Sequence, residues 1–576
     1  MDFEETIKEA VFQAVKETGL KKEDIAIEKP KQDFGDYAFP CFSLSKILKK
    51  SPMEIAKELE KKIKPTGEIE KVLATGPYLN FFVDRGYFAE QIISKILKEK
   101  DNFGKPETKE RKKEKVMVEF SQANTHKAFH VGHIRGTSLG ESISRISEFL
   151  GNDVTRANYQ GDIGMHVAKW LWCYQTFHKK EWPKKDAEQW VAHIYVDAVK
   201  KLYENPDYQK EVDKINHALG EKKDKKLMEL WKKTRQLCLD AFETIYKDLE
   251  TRFDRYFFEK DVEKRAKEIS LGLLNKGIAK IDQEATIIDL NPYGLGIFLL
   301  LRKDGTVLYS AKDIALAERK FNEFKIEKSI YVVGSEQRLY FSQLFKTLEL
   351  MGFENAKNCL YVPVSLVRLP TGKMSSRTGD NILYSDFKKE ITDYAKEEIK
   401  KRYPKLNAKE LDSRALKISI AAIKYDMLKQ DTNKTIVFDK KEALNFEGNS
   451  GPYIQYTYAR AASILRRVKA EQKKQKVKSK IQKSKKTKLI LVNQEFSLVK
   501  ILGEFPEIIE SSYIQLSPNI IANYAYGLAQ KFNEFYHSCQ VLGSSEEKFR
   551  LELVESTRII LKSCLFLLGI IALEEM

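Results

Sequence analysis

The 576-residue chain is sparing with cysteine, and its six, Cys41, Cys173, Cys238, Cys359, Cys539 and Cys564, include no C-x-x-C pair. That excludes the spacing of a zinc ribbon or a dithiol redox motif, and scattered thiols suit a reducing, cytoplasmic setting. Long apolar runs are missing too. The longest, CLFLLGIIAL from Cys564 to Leu573, is about half of the roughly 20 residues that a bilayer-spanning helix needs, so it reads as the buried face of a terminal helix. The start, MDFEETIKEA, has neither the basic head nor the apolar body of a secretory signal. An acidic excess is absent as well: 100 Lys and Arg face 83 Asp and Glu, for a net charge of +17 and a pI near 9.1. Such a balance predisposes a chain to a polyanion such as RNA or DNA, or reflects a lysine-rich background. With 42% hydrophobic and 32% charged residues, global disorder is excluded along with a membrane class.

What is present is enough chain for roughly three or four domains. The pattern predicts a multidomain α/β plus α protein: a small α+β N-terminal domain at 1–112, a Rossmann-like parallel-sheet catalytic domain at 113–385, a helical connection at 386–448 and an all-helical bundle at 449–576. In the first, SPMEIAKELEKKI offers Ser51 as a cap and Pro52 as a helix opener, and KVLATGPYLNFFVD reads as strand, turn and strand around Gly76-Pro77. KPETKERKKEK, Lys105 to Lys115, is the linker. VMVEFSQAN is then a short strand, HIRGTSLGESISRISEFLG a helix and DVTRANYQGDIG a second strand running into a Gly-rich loop. This order opens a parallel sheet, whose ligands collect at the carboxyl ends of the strands. From about 176 to 282 the chain reads as a helical insertion, after which DGTVLYSAKDIALAERKF and SIYVVGSEQRLYFSQLFKTLELMG each read as a strand followed by an amphipathic helix. Within the last domain, Arg466 to Lys488 carries twelve Lys or Arg against one Glu, which makes it a solvated insert or a nonspecific contact for an RNA backbone.

The stretch SQANTHKAFHVGHIRG, Ser121 to Gly136, spaces His126, His130 and His133 at i, i+4 and i+7. On one helix those positions share a face, so a metal site, a nucleotide site and incidental packing all enter. Zinc favours an H-E-x-x-H arrangement; here Lys127 follows His126, and Gly132 interrupts the helix before His133. A second motif favours the nucleotide. His130-Val131-Gly132-His133 has the H-x-G-H form of the class I aminoacyl-tRNA synthetase signature, and Lys373-Met374-Ser375-Ser376-Arg377 resembles the K-M-S-K-S loop of that class. The interval between them leaves little room for a large editing domain, which disfavours the isoleucine, leucine and valine enzymes.

VEFSQANTHKAFHVGHIRG, RANYQGDIG, LYSAKD, GPYIQYTYARAASILRR and the ending ESTRIILKSCLFLLGIIALEEM resemble arginyl-tRNA synthetases, and FGDYAFPCFSLSKILKKSP resembles that family's N-terminal tRNA-binding domain. The likeness runs essentially end to end. It implies an arginine–tRNA ligase with ATP and Mg²⁺ as cofactors, tRNA(Arg) and L-arginine as partners, an anticodon-binding C-terminal bundle, no metal held by protein side chains, and a cytoplasmic monomer without a membrane role. One departure stands out: the second lysine of the loop motif is Ser376, and the resemblance implies that Lys127, just upstream of H-x-G-H, takes over its phosphate contact.

Activation needs a carboxylate to attack the α-phosphorus of ATP while pyrophosphate leaves, a task of positioning and charge neutralisation. The resemblance assigns ATP to His130, Gly132, His133, Lys127, Lys373, Met374, Ser375 and Ser376, with His130, His133, Lys373 and Lys127 as the catalytic set. A guanidinium, with its planar fork of five N–H donors, calls for carboxylates in its plane. Glu119 and Asp313 match the family's guanidinium contacts, joined by Tyr309, while Ser121, Asn124, His133 and Gln337 fall where the family holds the rest of arginine. Tyr453, Tyr456, Tyr458 and Arg460 are candidates for stacking on tRNA bases, with an aromatic core stripe as the competing reading. Two further functions stay open: an H-x-G-H adenylyltransferase acting on a small molecule, and a catalytically silent synthetase paralogue that binds RNA.

Overall fold

The computed structural model describes residues 3–30, 34–66, 68–106, 112–370, 382–474 and 489–576. They form two compact units: Met1–Phe103 with Ile464–Glu504 and Gln530–Ile559, and Gly104–Ser463 with Phe505–Ala529 and Ile560–Met576. The N-terminal segment, expected to stand apart, thus shares its unit with stretches of the C-terminal helices.

In the first unit, α1 (Phe3–Val15), α2 (Phe42–Leu48), α3 (Pro52–Lys62) and α4 (Arg85–Glu99) pack with β1 (Tyr37–Pro40), β2 (Ile69–Thr75) and β3 (Tyr78–Val83), an antiparallel sheet in the order β1-β3-β2. The expected start of α3 is present: Ser51 accepts from the amide of Glu54, whose carboxylate reaches back to the Ser51 amide, and Pro52 opens the first turn.

The second unit is built on a five-stranded parallel sheet. Its strands are β4 (Lys115–Glu119), β5 (Asp153–Gln160) and β6 (Arg255–Phe258), then β10 (Lys328–Gly334) and β11 (Cys359–Val364), in the order β11-β10-β4-β5-β6. Val116, Met117 and Val118 are fully buried, as a central strand covered on both faces requires. Between the strands run α5 (Val131–Phe149), α6 (Met165–Cys173), α7 (Ala187–Glu204), α8 (Gln209–Glu221), α9 (Lys225–Asp248), α10 (Glu259–Asn275), α11 (Tyr309–Phe324) and α12 (Arg338–Leu350). The antiparallel strands β7 (Lys280–Asp282), β8 (Ala285–Asp289) and β9 (Ile297–Leu301) form a separate sheet ahead of α11. Beyond β11 come α13 (Tyr384–Arg402), α14 (Ala408–Leu428), α15 (Lys440–Ala443) and α16 (Gly451–Lys474), followed by α17 (Asn493–Gly503), α18 (Phe505–Ile514), α19 (Asn519–Ser538) and α20 (Glu547–Leu567).

Two expectations change. The stretch from about 176 to 282 is not wholly helical, because β6 inside it is the edge strand of the parallel sheet; a four-residue run, RYFF, is too short to show a period of two. DGTVLYS is not a sheet strand either. Val307 makes one isolated bridge to Leu301, and the extended run before α11 is β9, in the antiparallel sheet.

Helix α5 is buried on nearly every side despite its polar residues. Arg135, wholly buried, donates from its guanidinium to the carbonyls of Ser365 at 2.7 Å, Lys434 at 2.8 Å and Asp431 at 3.0 Å. Arg156 on β5 donates to Glu141 at 2.9 Å and Glu148 at 2.6 Å, and Arg145 takes the second Glu141 oxygen at 2.6 Å. Ser142 donates to the carbonyl of Leu567 at 2.8 Å. Arg135→Met keeps the volume and strips three carbonyls of their donor, that of Ser365 buried and those of Asp431 and Lys434 on less buried residues. At about 1–3 kcal/mol for a buried group left unsatisfied, the variant should lose at least about 1–3 kcal/mol, read as a lowered denaturant midpoint for the second unit; an unchanged midpoint would show that this clamp is dispensable.

Candidate active site

The chain lays β5 and β6 on one side of β4, and β10 and β11 on the other. The strand order therefore reverses between β4 and β10, where the departing connections leave a crevice at the carboxyl ends. The β4–α5 loop lies at that place, and it is held in an unusual conformation: Ser121, Gln122 and His126 all have positive φ, at 72°, 52° and 61°. Non-glycine residues there cost of order 1–3 kcal/mol each, so the loop is retained by its bonds. The Gln122 amide donates to Asn158 at 3.2 Å, Ser121 shares a bond with Tyr246 at 2.9 Å and accepts from Thr137 at 3.0 Å, and Asn124 accepts from the Gly161 amide at 3.2 Å. Gly161 is required by contact, since a Cβ there would lie 2.3 Å from Asn124 Oδ1 and 3.1 Å from Glu259 Oε1.

The three histidines separate into two kinds. His126 is wholly buried; its ring contacts Thr234 at 2.8 Å and Thr125 at 3.1 Å and packs on Trp170, and burial holds it neutral, its pKa pushed down to about 3. His130 and His133 instead form the first turn of α5. His130 Nδ1 accepts from the Gly132 amide at 3.2 Å, and His133 Nδ1 accepts from the His130 amide at 3.2 Å. An accepting Nδ1 on a neutral ring leaves the proton on Nε2, so each ring has an Nε2–H donor to offer. Burial and the nearby Lys127 ammonium lower both pKa values, that of His130 to about 4. A Cβ at Gly132 would stand 3.0 Å from the His130 ring, tighter than ordinary contact, so glycine lets the ring lie over the Gly132 amide without being displaced.

Lys127 is half-buried, its Nζ 5.6 Å from the centre of the Tyr195 ring, and burial with repulsion from Lys169 draws its pKa below the ordinary lysine range. His166, also neutral with a pKa of about 4, feels the same ammonium. Lys373, Met374, Ser375 and Ser376 lie outside the described residues. The chain just after them is tied to the first motif: Leu383 bridges His130, and the Tyr384 amide donates to the Phe129 carbonyl at 3.0 Å.

Glu119 ends β4 beside a pocket rich in carboxylates and phenols. Its Oε2 lies 2.5 Å from the fully buried Lys320, a charge contact without hydrogen-bond alignment, and its Oε1 accepts from Gln122 at 2.9 Å. Asp313 accepts a short bond from Tyr340. Burial raises the Asp313 pKa to about 7; Tyr340 and Lys320 oppose the rise, while Glu119 and Glu259 add to it. Glu259 pairs with Lys312 at 3.1 Å. The Tyr159 hydroxyl, whose titration is pushed up by Asp313, Glu259 and Glu119 beyond what burial alone does, is buried without a hydrogen-bond partner among the described residues. Tyr309 shares a helix face with Asp313 and is more than half exposed; Gln337 is exposed in a short turn after β10. The result is a cluster of buried carboxyl groups, two matched by lysines and one whose partner is a neutral phenol.

The remaining candidates lie on α16. The Arg460 guanidinium stacks 4.8 Å from the Tyr456 ring and donates to its hydroxyl at 3.1 Å, and Tyr453 packs against Tyr526. Tyr458 faces inward, 2% exposed, with its hydroxyl on Glu574 at 2.6 Å.

Comparison with known proteins fits this geometry. The model for tRNA synthetases class I (R), catalytic domain, matches residues 92–440, the arginyl tRNA synthetase N terminal domain matches 3–83, and the DALR anticodon binding domain matches 454–576. An arginine–tRNA ligase of Clostridium acetobutylicum is 37% identical over 579 residues, covering 100% of both chains. The chain belongs to the class I arginyl-tRNA synthetases. The arginine–tRNA ligase of Clostridium perfringens is 36% identical, again over 100% of both chains, and the arginyl-tRNA synthetase structure from Thermus thermophilus superposes with a TM-score of 0.80 at 26% identity, covering 100% of each.

For a member of this family, the sequence reading passed over Glu259, Lys320, Lys312, Tyr159 and Tyr340, all of which shape the pocket. Lys320 carried a usable signal, since it lies two turns after Asp313 on α11. Glu259 carries none, because the four-residue strand before it, RYFF, is too short to show a period of two.

His126 takes up a proton only when the protein unfolds, between its folded pKa of about 3 and the ordinary value of 6.5. Its contribution is fully present above pH 6.5 and is lost as the pH falls, by about 1.4 kcal/mol per unit. His126→Gln should therefore melt with a shallower acid dependence than the parent between pH 6.5 and 4; parallel curves in thermal scans would overturn this assignment.

Proposed function

We propose that the carboxylate pocket takes the guanidinium of L-arginine and that the start of α5 takes the phosphates of ATP, so that the chain acts as an arginine–tRNA ligase. The observation that carries this reading is one strand and the loop that leaves it: β4 ends at Glu119, whose charge acts on the buried Asp313 carboxyl, and the same chain then runs into two neutral imidazoles at the start of α5 whose Nδ1 atoms are taken by backbone amides.

In the first step an oxygen of the arginine carboxylate attacks the α-phosphorus of ATP, the bond to the bridging oxygen breaks, and pyrophosphate leaves with its electron pair. Asp313 and Glu119 hold the guanidinium, and Tyr309 closes over it from the exposed side. Ser121, Asn124, His133 and Gln337 orient the amino acid. His130 and His133 donate to phosphate oxygens at a helix N-terminus, where amide dipoles favour anions, and Gly132 admits the adenosine. Lys127 and Lys373 neutralise the β and γ phosphates, and Met374, Ser375 and Ser376 of the second motif complete the ATP contacts. Mg²⁺ would arrive with ATP and offset the charge of its phosphates, while His130, His133 and Lys127 offer that region donors and an ammonium but no carboxylate. In the second step the 2′-hydroxyl oxygen of the terminal adenosine of tRNA(Arg) attacks the carbonyl carbon of arginyl-adenylate, loses its proton, and forms the ester as the bond to phosphate breaks and AMP leaves.

The flanking segments serve the RNA. Residues 1–112 contact the tRNA body and 449–576 the anticodon, with Tyr453, Tyr456 and Arg460 as base contacts and Tyr458 as a support from the core; 386–448 connects the anticodon region to the catalytic residues 113–385. The enzyme works as a cytoplasmic monomer, and among the described residues no helix is long and apolar enough to cross a membrane. A small-molecule adenylyltransferase would have no use for two flanking RNA-binding domains.

Arginine-dependent charging of total tRNA tests the whole reading; charging with a different amino acid alone would sink it. Removing one preorganised donor from a site of developing charge costs roughly 2.7–4 kcal/mol, so Lys127→Ala should slow tRNA-dependent ATP–pyrophosphate exchange by about 10²–10³-fold while tRNA binding persists. An undiminished rate would remove Lys127 from the machinery.

Arginine binding also acquires a pH dependence. With Asp313 near pKa 7, its carboxyl must lose a proton to meet a guanidinium. Affinity for arginine should fall about tenfold per pH unit below 7 and level off above it, and Asp313→Asn should bind weakly with a flat profile. Calorimetry giving a pH-independent Kd for the parent between 6 and 8 would contradict the role.

A further inference from the structure

Cys173, His178 and Asp197 form a cluster that neither the activation step nor the RNA contacts use. Cys173 Sγ lies 3.5 Å from Asp197 Oδ2, His178 Nε2 lies 2.9 Å from the same oxygen, and the three ligand atoms all fall within 4.8 Å of one another. We propose that this cluster binds one transition-metal dication, with zinc the chemistry that suits it.

The backbone is built for the juxtaposition. Cys173 ends α6, and the next five residues, Tyr174–His178, form a π-helical turn. Five residues apart on an α-helix, at about 100° each, two side chains point well away from one another. A π turn bonds i to i+5 and brings those positions onto one face, and such turns recur at functional sites. Asp197 then arrives from α7, completing a thiol, imidazole and carboxylate set.

The donor types select the metal. Thiolate and imidazole together favour zinc over hard cations, and zinc bonds of about 2.0–2.3 Å need the donors only slightly further apart than the observed 2.9 Å and 3.5 Å. His178 is oriented for the task. Its Nδ1 contacts Glu181 at 2.9 Å, leaving Nε2 for the metal, the arrangement by which an outer carboxylate fixes the tautomer and basicity of a ligating histidine. On binding, Cys173 releases its proton to solvent, so thiolate and Asp197 carboxylate balance the dication. Lys201 stays on the other Asp197 oxygen, 3.8 Å away and 4.2 Å from the Phe177 ring centre, where it offsets Glu181. Cys173 is buried, while the Asp197 and Glu181 side chains are 21% and 51% exposed, which gives an ion a path inward and leaves the fourth position to water.

The test uses the full chain, freed of metal by chelation, reduced, and titrated with Co²⁺ as a spectroscopic probe. A thiolate-to-cobalt band in the near ultraviolet should saturate at one Co²⁺ per chain and bleach when Zn²⁺ is added. Cys173→Ala should lose the band. Glu181→Gln, changed at a half-exposed position that leaves folding intact, should keep the band with Co²⁺ affinity lowered about 10–100-fold. No saturable band in the parent, a band that survives Cys173→Ala, or an unchanged affinity in Glu181→Gln would overturn the proposal and leave a hydrogen-bonded Cys–Asp–His network.

Discussion

The structure depends on how a polar helix is buried. Helix α5 carries Arg135, Glu141, four serines and a threonine among its buried residues, and it runs directly out of the central strand's loop. A buried charge without a partner is strongly destabilising, so each one must find its match. Arg135 resolves its charge on three backbone carbonyls from two segments beyond β11, and Glu141 on two arginines, one of them from β5. These bonds are directional, unlike apolar packing. They fix α5 in rotation and translation against the sheet, and with it the position of its first turn. Leu383 and Tyr384, which bond to His130 and Phe129, then tie the start of α13 to the same point.

The pocket follows a related rule with one deliberate exception. Glu119 is matched by Lys320 and Glu259 by Lys312, so the structure itself supplies cations for two of three carboxyls. Asp313 receives a phenol instead, and burial leaves it poised near neutrality. On the proposed reading, an arriving guanidinium supplies the charge that Asp313 lacks and a donor for the Tyr159 hydroxyl, which has no hydrogen-bond partner among the described residues. A neutral side chain of the same size would leave those groups buried and unpaired, and sites that hydrogen-bond their ligand reject analogues without the donors by about 10⁴–10⁵. Selectivity then requires no second, editing site.

Much of this was legible in the chain. The first motif, the strand–loop–helix around it and the cap at Ser51 follow from local chemistry, and local chemistry is what a sequence displays. The rest depended on distance along the chain. The RYFF strand gains its identity only by pairing with β5, and nothing within four residues distinguishes it from a helix end. Glu259 becomes a pocket residue because of that pairing. Val307 has the local look of a strand, yet it makes only one isolated bridge, to Leu301 at the end of β9. Tyr458 has the same local surroundings as Tyr453 and Tyr456, and only the fold of α16 against the chain's last residues turns it inward. The π turn after Cys173 is equally silent: its sequence, YQTFH, fits an ordinary helix.

The phosphate side sharpens what the H-x-G-H spacing means. Read as a sequence, two histidines beside a triphosphate suggest two cations. In the structure, burial and the Lys127 ammonium keep both rings neutral, and protonating either would add repulsion among groups that already crowd one another. Their worth lies in direction. Each Nδ1 is occupied by a backbone amide of the first helical turn, which forces the proton onto Nε2, and Gly132 eases the arrangement, because a Cβ there would crowd the His130 ring at 3.0 Å. The three spaced residues therefore fix two tautomers at the positive end of a helix, and positive charge is left to lysine. A lysine on the β4–α5 loop is held by the same bonds that strain Ser121, Gln122 and His126 into the left-handed region. An ammonium placed there keeps its position without help from the second motif, whose own second lysine this chain has replaced with Ser376.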